Sequence, residues 1–350
     1  MIQALLAAFL FGASAPLAKL LLDEIEPVPL AAFLYLGSGI GLTIYRGLRR
    51  VSAQATDAEA QISKADLLWV IGALLAGGVA APIVLMFSLR ATPAATASLL
   101  LNFEGVATAI IAAWAFKEAI GRRVWWAVTL IMLASVILTW NSGGAWGISW
   151  GAVGVLGACV LWGLDNNLTR NVSAKDPLAT VTIKGLGAGG FSLLLALVLH
   201  NPFPRWPTIL AAMLLGSISY GLGIVLFILA LRGLGAARTG ALYGTAPFVG
   251  AILSFILFRD QVLPSFIVAF VIMSIGAALL LGEVHAHPHT HPSLQHTHRH
   301  RHDDGHHAHQ HVGEVALDTV HAHEHEHEIV EHIHPHAPDI HHRHEHHEGK

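Results

Sequence analysis

Two stretches of the chain match each other without a gap, and this match decides the fold class. Residues 87–118 read FSLRATPAATASLLLNFEGVATAIIAAWAFKE, and residues 229–260 read LALRGLGAARTGALYGTAPFVGAILSFILFRD. The two ends agree in chemistry, because Phe-Lys-Glu at 116–118 aligns with Phe-Arg-Asp at 258–260. Repetition of this kind indicates a fold made of two copies of one unit.

The composition is that of a membrane protein, since 54% of the residues are hydrophobic and only 12% are charged. A helix needs roughly 20 mostly apolar residues to cross the hydrocarbon of a bilayer. Ten segments satisfy this requirement, and the sequence predicts spans near residues 2–22, 28–46, 66–89, 92–116, 123–140, 148–169, 177–199, 207–231, 236–258 and 264–283.

The second copy begins five spans after the first. Because five is an odd number, the second copy is expected to enter the membrane upside down relative to the first. We therefore predict an all-α membrane protein of ten transmembrane helices arranged as two inverted five-helix repeats, followed by a disordered tail. The predicted boundaries are 1–142 for the first repeat, 143–284 for the second and 285–350 for the tail. Inverted repeats commonly hold the substrate between the halves, near the middle of the bilayer.

The basic residues of the short loops predict the orientation, because Lys and Arg are retained on the cytoplasmic side. With a cytoplasmic N-terminus the outside loops hold only Arg90, Arg205 and Arg259. An even number of spans returns the C-terminus to the cytoplasm, and we expect a bacterial inner membrane. The inside loops then hold Arg46, Arg49, Arg50, Lys64, Lys117, Arg122, Arg123, Arg170, Lys175, Arg232 and Arg238.

The last part of the sixth predicted span carries a further match to the first span. Residues 11–19 align with 162–170, with an aromatic-Gly pair at one end and a cation at the other. Together with the ten spans and the repeated ends, Trp162-Gly163 resembles the EamA-type drug/metabolite transporter superfamily over residues 1–283. The resemblance implies a secondary carrier, often an exporter of small metabolites. That family often has proline in the fourth and ninth helices; Pro247 fits, but Gly105 stands at the aligned fourth-helix position.

Ionisable residues inside a span are costly and commonly functional. Glu104 is the deepest carboxylate, beside Asn102, and such a group suits proton coupling or cation binding. Lys19 and Lys184 also lie within predicted spans. Either lysine could form a purely structural pair with Glu104 that holds helices together. Alternatively, its long stem could carry the ammonium group towards the headgroups.

Four further candidates complete the predicted translocation path. Asp165 and Asn166 lie in the last turns of the sixth span, where they line a path or simply end the helix. Trp162 and Tyr243 could line a cavity, although aromatic side chains in spans commonly pack against helices or lipid.

The tail is chemically distinct, since all of the 25 histidines except His200 lie within residues 285–350. Its low apolar content predicts disorder without a packed core. Neutral imidazole binds zinc, nickel, cobalt and copper, although a solubilising extension without ligands is the alternative. The candidate ligands are His285, His287, His289, His291, His321, His323, His325 and His327.

Three functions are compatible with these features. The first is a secondary carrier of a small metabolite, with the tail as regulator or metal buffer; the second is a divalent transition-metal carrier supplied by the tail. The third is a membrane-anchored metal-storage or sensor protein. The expected partners are lipid and a small-molecule or ion substrate, with no nucleic acid, and a homodimer is compatible with the sequence. No required cofactor and no enzymatic activity are expected, because no nucleophile-base pair lies in the spans.

Overall fold

The computed structural model describes residues 1–51, 62–116, 121–140, 148–172 and 175–280, together with four stretches of the tail. The helices are α1 Ile2–Leu21, α2 Pro27–Val51, α3 Leu67–Ala73, α4 Ala81–Ala91, α5 Ala94–Leu100, α6 Phe103–Phe116, α7 Arg122–Thr139, α8 Trp150–Arg170, α9 Pro177–Val198, α10 Trp206–Leu215, α11 Gly223–Leu234, α12 Ala236–Tyr243, α13 Ala246–Phe258 and α14 Pro264–Leu280. A short 3-10 helix, Lys64–Asp66, precedes α3.

Eight helical stretches in the described part of the chain are long and apolar enough to span a membrane. Two predicted spans fall outside this set, α14 because it has 17 residues and α8 because its polar residues lower its hydropathy. The total of ten spans therefore stays a prediction. The eight are Ile2–Leu21, Pro27–Arg49, Lys64–Ala91, Ala94–Ala115, Arg122–Thr139, Pro177–Val198, Trp206–Leu231 and Arg238–Phe258.

Irregularities of the helices recur at the same place in both halves. The third span contains a π-helical segment, Leu74–Ala80, and the eighth contains another, Gly216–Leu222. The offset that aligns residues 87–118 with 229–260 also aligns these two segments. The fourth span breaks between α5 and α6, and the ninth breaks between α12 and α13 one residue later in the alignment. Both halves thus share local geometry that composition alone would not produce.

The contacts between helices are also repeated when each helix is replaced by its counterpart in the other half. α2 packs against its counterpart α9, and α7 packs against its counterpart α14. α1 packs on α13, while the counterpart α8 packs on α6; likewise α1 contacts α11 and α8 contacts α4. This pattern supports two copies of one unit. The opposite insertion of the two copies stays a prediction.

Glycines allow the crossings between halves to be close. A Cβ on Gly163 in α8 would lie 2.8 Å from the backbone nitrogen of Thr108 in α6. A Cβ on Gly12 in α1 would overlap the carbonyl of Ala246 at the start of α13. Small residues at helix interfaces let backbones approach, and this packing is a main source of helix association in membranes. α6 and α13 are thereby held against α8 and α1.

The tail contains four strands, β1 His285–His291, β2 Leu294–Arg301, β3 Val320–His327 and β4 Val330–His336. β1 pairs antiparallel with β4, and β2 pairs antiparallel with β3. Alternating sequences can pair as extended ribbons without a packed core. The disorder of the tail stays a prediction.

Candidate functional site

The site begins where the fourth span is interrupted. α5 ends at Leu100 and α6 begins at Phe103, so Glu104 lies in the first turn of a new helix in the middle of the span. The Asn102 side chain donates a hydrogen bond to the carbonyl of Leu99 at 3.0 Å. Asn102, predicted as a path residue, therefore satisfies an end carbonyl of α5.

Glu104 is held by neutral partners from α8. The Asn166 amide donates to a carboxylate oxygen of Glu104 at 2.9 Å and contacts the Thr108 hydroxyl at 3.1 Å. The neighbouring Asn167 amide donates to the carbonyl of Thr108 at 3.0 Å and fixes α8 against α6. Asn166 is exposed and Glu104 is partly exposed, although Glu104 lies in the middle of the fourth span. Neither side chain is fully covered by protein atoms.

The two ionisable residues beside Glu104 form a pair of their own. Lys184 in α9 donates to both oxygens of Asp165, at 2.5 Å and 2.7 Å. The Thr169 hydroxyl donates to the same carboxylate at 2.9 Å. Asp165 is buried and lies against Gly77, where a Cβ would overlap the carboxylate. Lys184 therefore neutralises Asp165 and leaves Glu104 without an ion pair among the side chains that the structure describes.

The π-helical segment of the third span supplies a shared acceptor. The Tyr35 hydroxyl donates to the carbonyl of Gly77 at 2.9 Å, and the Trp162 indole donates to the same carbonyl at 3.0 Å. A π-helical turn changes the register of the backbone ladder and is frequent at functional sites. Trp162, predicted as a lining residue, thus joins α8 to the π segment, and Tyr35 was not predicted.

A continuous row of aromatic rings extends from this point. The ring centroids of Tyr35 and Tyr220 lie 5.9 Å apart, and those of Tyr220 and Phe11 lie 6.0 Å apart. Phe11 continues to Tyr243 at 5.5 Å, and Tyr243 continues to Phe227 at 4.6 Å. We call these five residues the aromatic row. Glu104 interacts electrostatically with Tyr35 and Tyr243, so these two members of the row are within electrostatic range of the carboxylate. Of the five, only Tyr243 was predicted.

Lys19 does not belong to this cluster. Its ammonium group donates to the carbonyl of Leu89 at 2.7 Å and to the carbonyl of Thr92, both at the end of α4. A cation at this place satisfies end carbonyls and complements the helix dipole. The hypothesis that Lys19 pairs with Glu104 is therefore not supported. None of these contacts supports the predicted role of Lys19 in translocation.

The predicted metal ligands of the tail cannot be assigned a geometry. The backbone of His285, His287, His289 and His291 lies in β1, and that of His321, His323, His325 and His327 lies in β3, but their side chains fall outside the described part. Among the side chains that the structure does describe, no group of three His, Cys, Asp or Glu residues could hold a metal ion.

Comparisons with known proteins agree with the architecture. The EamA-like transporter family matches the chain twice, over residues 1–140 and 149–282. An "uncharacterized transporter" of Methanothermobacter thermautotrophicus is 30% identical over 271 residues, which cover 74% of this chain and 79% of that protein. A protein of known crystal structure shares the fold with a TM-score of 0.57 at 18% identity, over 79% of this chain and 96% of the other. The chain belongs to the EamA-like transporter family and is an integral membrane transporter.

Proposed function

We propose that the protein is a secondary active carrier that exports a small metabolite along a path lined by Glu104, Asn166 and the aromatic row. One observation carries this proposal: a partly exposed carboxylate lies in the middle of an apolar span and, among the side chains that the structure describes, is bound by the neutral amide of Asn166 and by no cation. An ionisable residue inside a membrane is costly and marks a substrate or ion path.

The surrounding contacts support a carrier in which the halves move. Glu104 and Asn166 belong to helices of different halves, α6 and α8, so relative motion of the halves would alter their hydrogen bond. The Asp165–Lys184 pair supplies a neutral, buried contact beside it. Proton or cation binding at Glu104 and reorientation of the halves would then be coupled, as alternating access requires.

The test is transport by full-length protein reconstituted into liposomes with an imposed proton gradient. A panel of radiolabelled amino acids and amines is the substrate, and a pH-sensitive dye reports proton movement. Wild-type protein is expected to move at least one compound at the expense of the gradient. The Glu104→Gln variant should lose this flux, because glutamine keeps the hydrogen bond to Asn166 but cannot titrate.

Glu26→Gln is the matched control. Glu26 is a carboxylate near the start of α2 that pairs with Arg90 at 2.8 Å, away from the candidate site. This variant should transport at the wild-type rate. Equal flux through wild type and Glu104→Gln would end the assignment of the path, and an absence of flux for every compound would end the proposal of a metabolite carrier. Comparison of right-side-out with inside-out vesicles tests whether transport is directed out of the cell and whether both termini lie on the cytoplasmic side.

For the tail we propose binding of zinc, nickel, cobalt or copper as a regulator or buffer of the carrier. The register supports this, since His285 stands opposite His336 and His287 stands opposite His334. Alternate residues of a strand share a face, so these opposed histidine pairs recur at every second residue. Calorimetry with zinc chloride on full-length protein, compared with a chain ending at Val284, tests it. Equal zinc uptake by both chains would exclude the tail.

A further inference from the structure

The electrostatics around Glu104 indicate what kind of substrate the site can accept. Lys184, a cation that interacts electrostatically with Glu104, donates to both oxygens of Asp165 and is thereby neutralised. Lys19 donates to the carbonyls of Leu89 and Thr92 at the end of α4. Among the side chains that the structure describes, no basic group forms an ion pair with Glu104. An ionised Glu104 therefore leaves one negative charge without a counterion in a low-dielectric environment, where charge complementarity is strong.

The aromatic row is within electrostatic range of this charge at Tyr35 and Tyr243. It contains five rings from four spans, with centroid separations between 4.6 Å and 6.0 Å along the row. Aromatic faces carry negative electrostatic potential and attract ammonium groups within about 6 Å of the ring centroid. A carboxylate and several rings together favour a cation with an apolar body, and they disfavour an anion.

We propose that the substrate of this carrier is a monovalent organic cation, such as a protonated amine with an apolar or aromatic body, whose charge replaces a proton on Glu104. The inference rests on the proposed carrier function and specifies its substrate class. The ammonium group would lie at Glu104 and Asn166, and the apolar body would lie along Tyr243, Phe11 and Tyr220. One carboxylate can bind either one proton or one such cation, so exchange between them needs no further ionisable group.

Two other substrate classes fit the site less well. A divalent transition metal requires several ligands, and the described side chains contain no group of three suitable residues. A substrate with a carboxylate requires a cation that is free to receive it, whereas Lys184 and Lys19 are both occupied by acceptors. The arrangement around Glu104 therefore selects positive charge.

The test is a binding experiment with two molecules of matched size and opposite charge. Phenethylammonium and 3-phenylpropionate are titrated calorimetrically into full-length protein in nanodiscs at pH 7. We expect phenethylammonium to bind at least about tenfold more tightly than 3-phenylpropionate, because the charge and the ring faces favour the cation. Glu104→Gln should weaken phenethylammonium binding by about tenfold or more, and Glu26→Gln should leave it unchanged.

The contribution of the rings is tested separately at Tyr243. Tyr243→Leu removes the ring and should weaken binding of phenethylammonium by about fivefold, whereas Tyr243→Phe keeps the ring and should stay within about twofold. Thermal unfolding of each variant verifies that the helices remain assembled. A loss in Tyr243→Phe equal to that in Tyr243→Leu would assign the effect to the hydroxyl and overturn the aromatic part of the inference.

The outcomes separate this inference from the proposed carrier function. Equal or tighter binding of 3-phenylpropionate, no binding of phenethylammonium by wild type, or unchanged binding by Glu104→Gln would overturn the cation assignment. Proton-driven flux of a neutral or anionic compound through the same protein would then leave the carrier function standing. Absence of all flux would overturn the carrier function instead.

Discussion

Breaking the Asp165–Lys184 ion pair on one side only should destabilise the protein about as much as removing the pair as a whole. The two contacts of Lys184 with the carboxylate are 2.5 Å and 2.7 Å long, and the side chains are only 15% and 9% exposed. At this separation two unit charges attract by about 6 kcal/mol if the effective dielectric constant is about 20. Desolvation offsets much of this attraction, yet removing one partner of a buried pair costs about 3–5 kcal/mol.

The perturbation is a double-mutant cycle with Asp165→Asn, Lys184→Met and the double variant. Each single variant leaves one buried charge unpaired, so each should lower the free energy of unfolding by about 3 kcal/mol. The double variant buries no unpaired charge and should lose about as much as one single variant, which gives a coupling energy of about 3 kcal/mol. Unfolding in mixed micelles, followed by tryptophan fluorescence, measures all four proteins.

Additive losses, with a double variant about 6 kcal/mol less stable than wild type, would refute the reasoning, because the two side chains would then act independently. Arg46 and Asp176 offer a comparison within the same chain. They lie 3.0 Å apart, but their side chains are 27% and 20% exposed. Water screens that pair more, so its coupling energy should stay below about 1 kcal/mol.

Two further substitutions test the packing around the site. Gly77→Ala places a Cβ where the Asp165 carboxylate lies, so it should lower the free energy of unfolding by about 1–3 kcal/mol and reduce transport. Gly190→Ala is the control, since no atom lies near its added Cβ, and it should change neither stability nor transport. Equal effects of the two substitutions would contradict the close contact between Gly77 and Asp165. Lys19→Met removes two hydrogen bonds to carbonyls at the end of α4 and should lower stability by about 1–2 kcal/mol while transport persists. A transport defect in a stable Lys19→Met protein would indicate that Lys19 does belong to the translocation path.

The sequence predicted the positions of the helices well because the bilayer imposes a length on them. The segment predicted at 2–22 is Ile2–Leu21, and the one predicted at 177–199 is Pro177–Val198. The cluster around Glu104 was partly predictable for a similar reason, since an ionisable residue is conspicuous in an apolar span. Asn166 and Asp165 are next to each other in sequence and were identified together.

The partners of these residues could not be predicted, because they depend on how each helix is rotated and where it is interrupted. Lys19 and Lys184 look alike in sequence, yet one binds carbonyls of α4 and the other binds Asp165. The π segments leave no clear mark, since Leu74–Ala80 reads as an ordinary apolar stretch. Tyr35 and Tyr220 were missed because an aromatic residue in a span more commonly packs against lipid or a neighbouring helix.

The two halves share a scaffold but differ in charge, and this difference bears on how many ions one transport cycle can carry. In the alignment of residues 11–19 with 162–170, Ser14 is the counterpart of Asp165, and it hydrogen-bonds Tyr220 of the aromatic row. By the longer alignment Ala246 is the counterpart of Glu104, so no second carboxylate stands at the equivalent place. The first half thus contributes the titratable group, whereas both halves contribute rings. A duplicated site with two carboxylates could bind two protons, whereas Glu104 alone can bind one, so the exchange that we propose would move one proton for one monovalent cation.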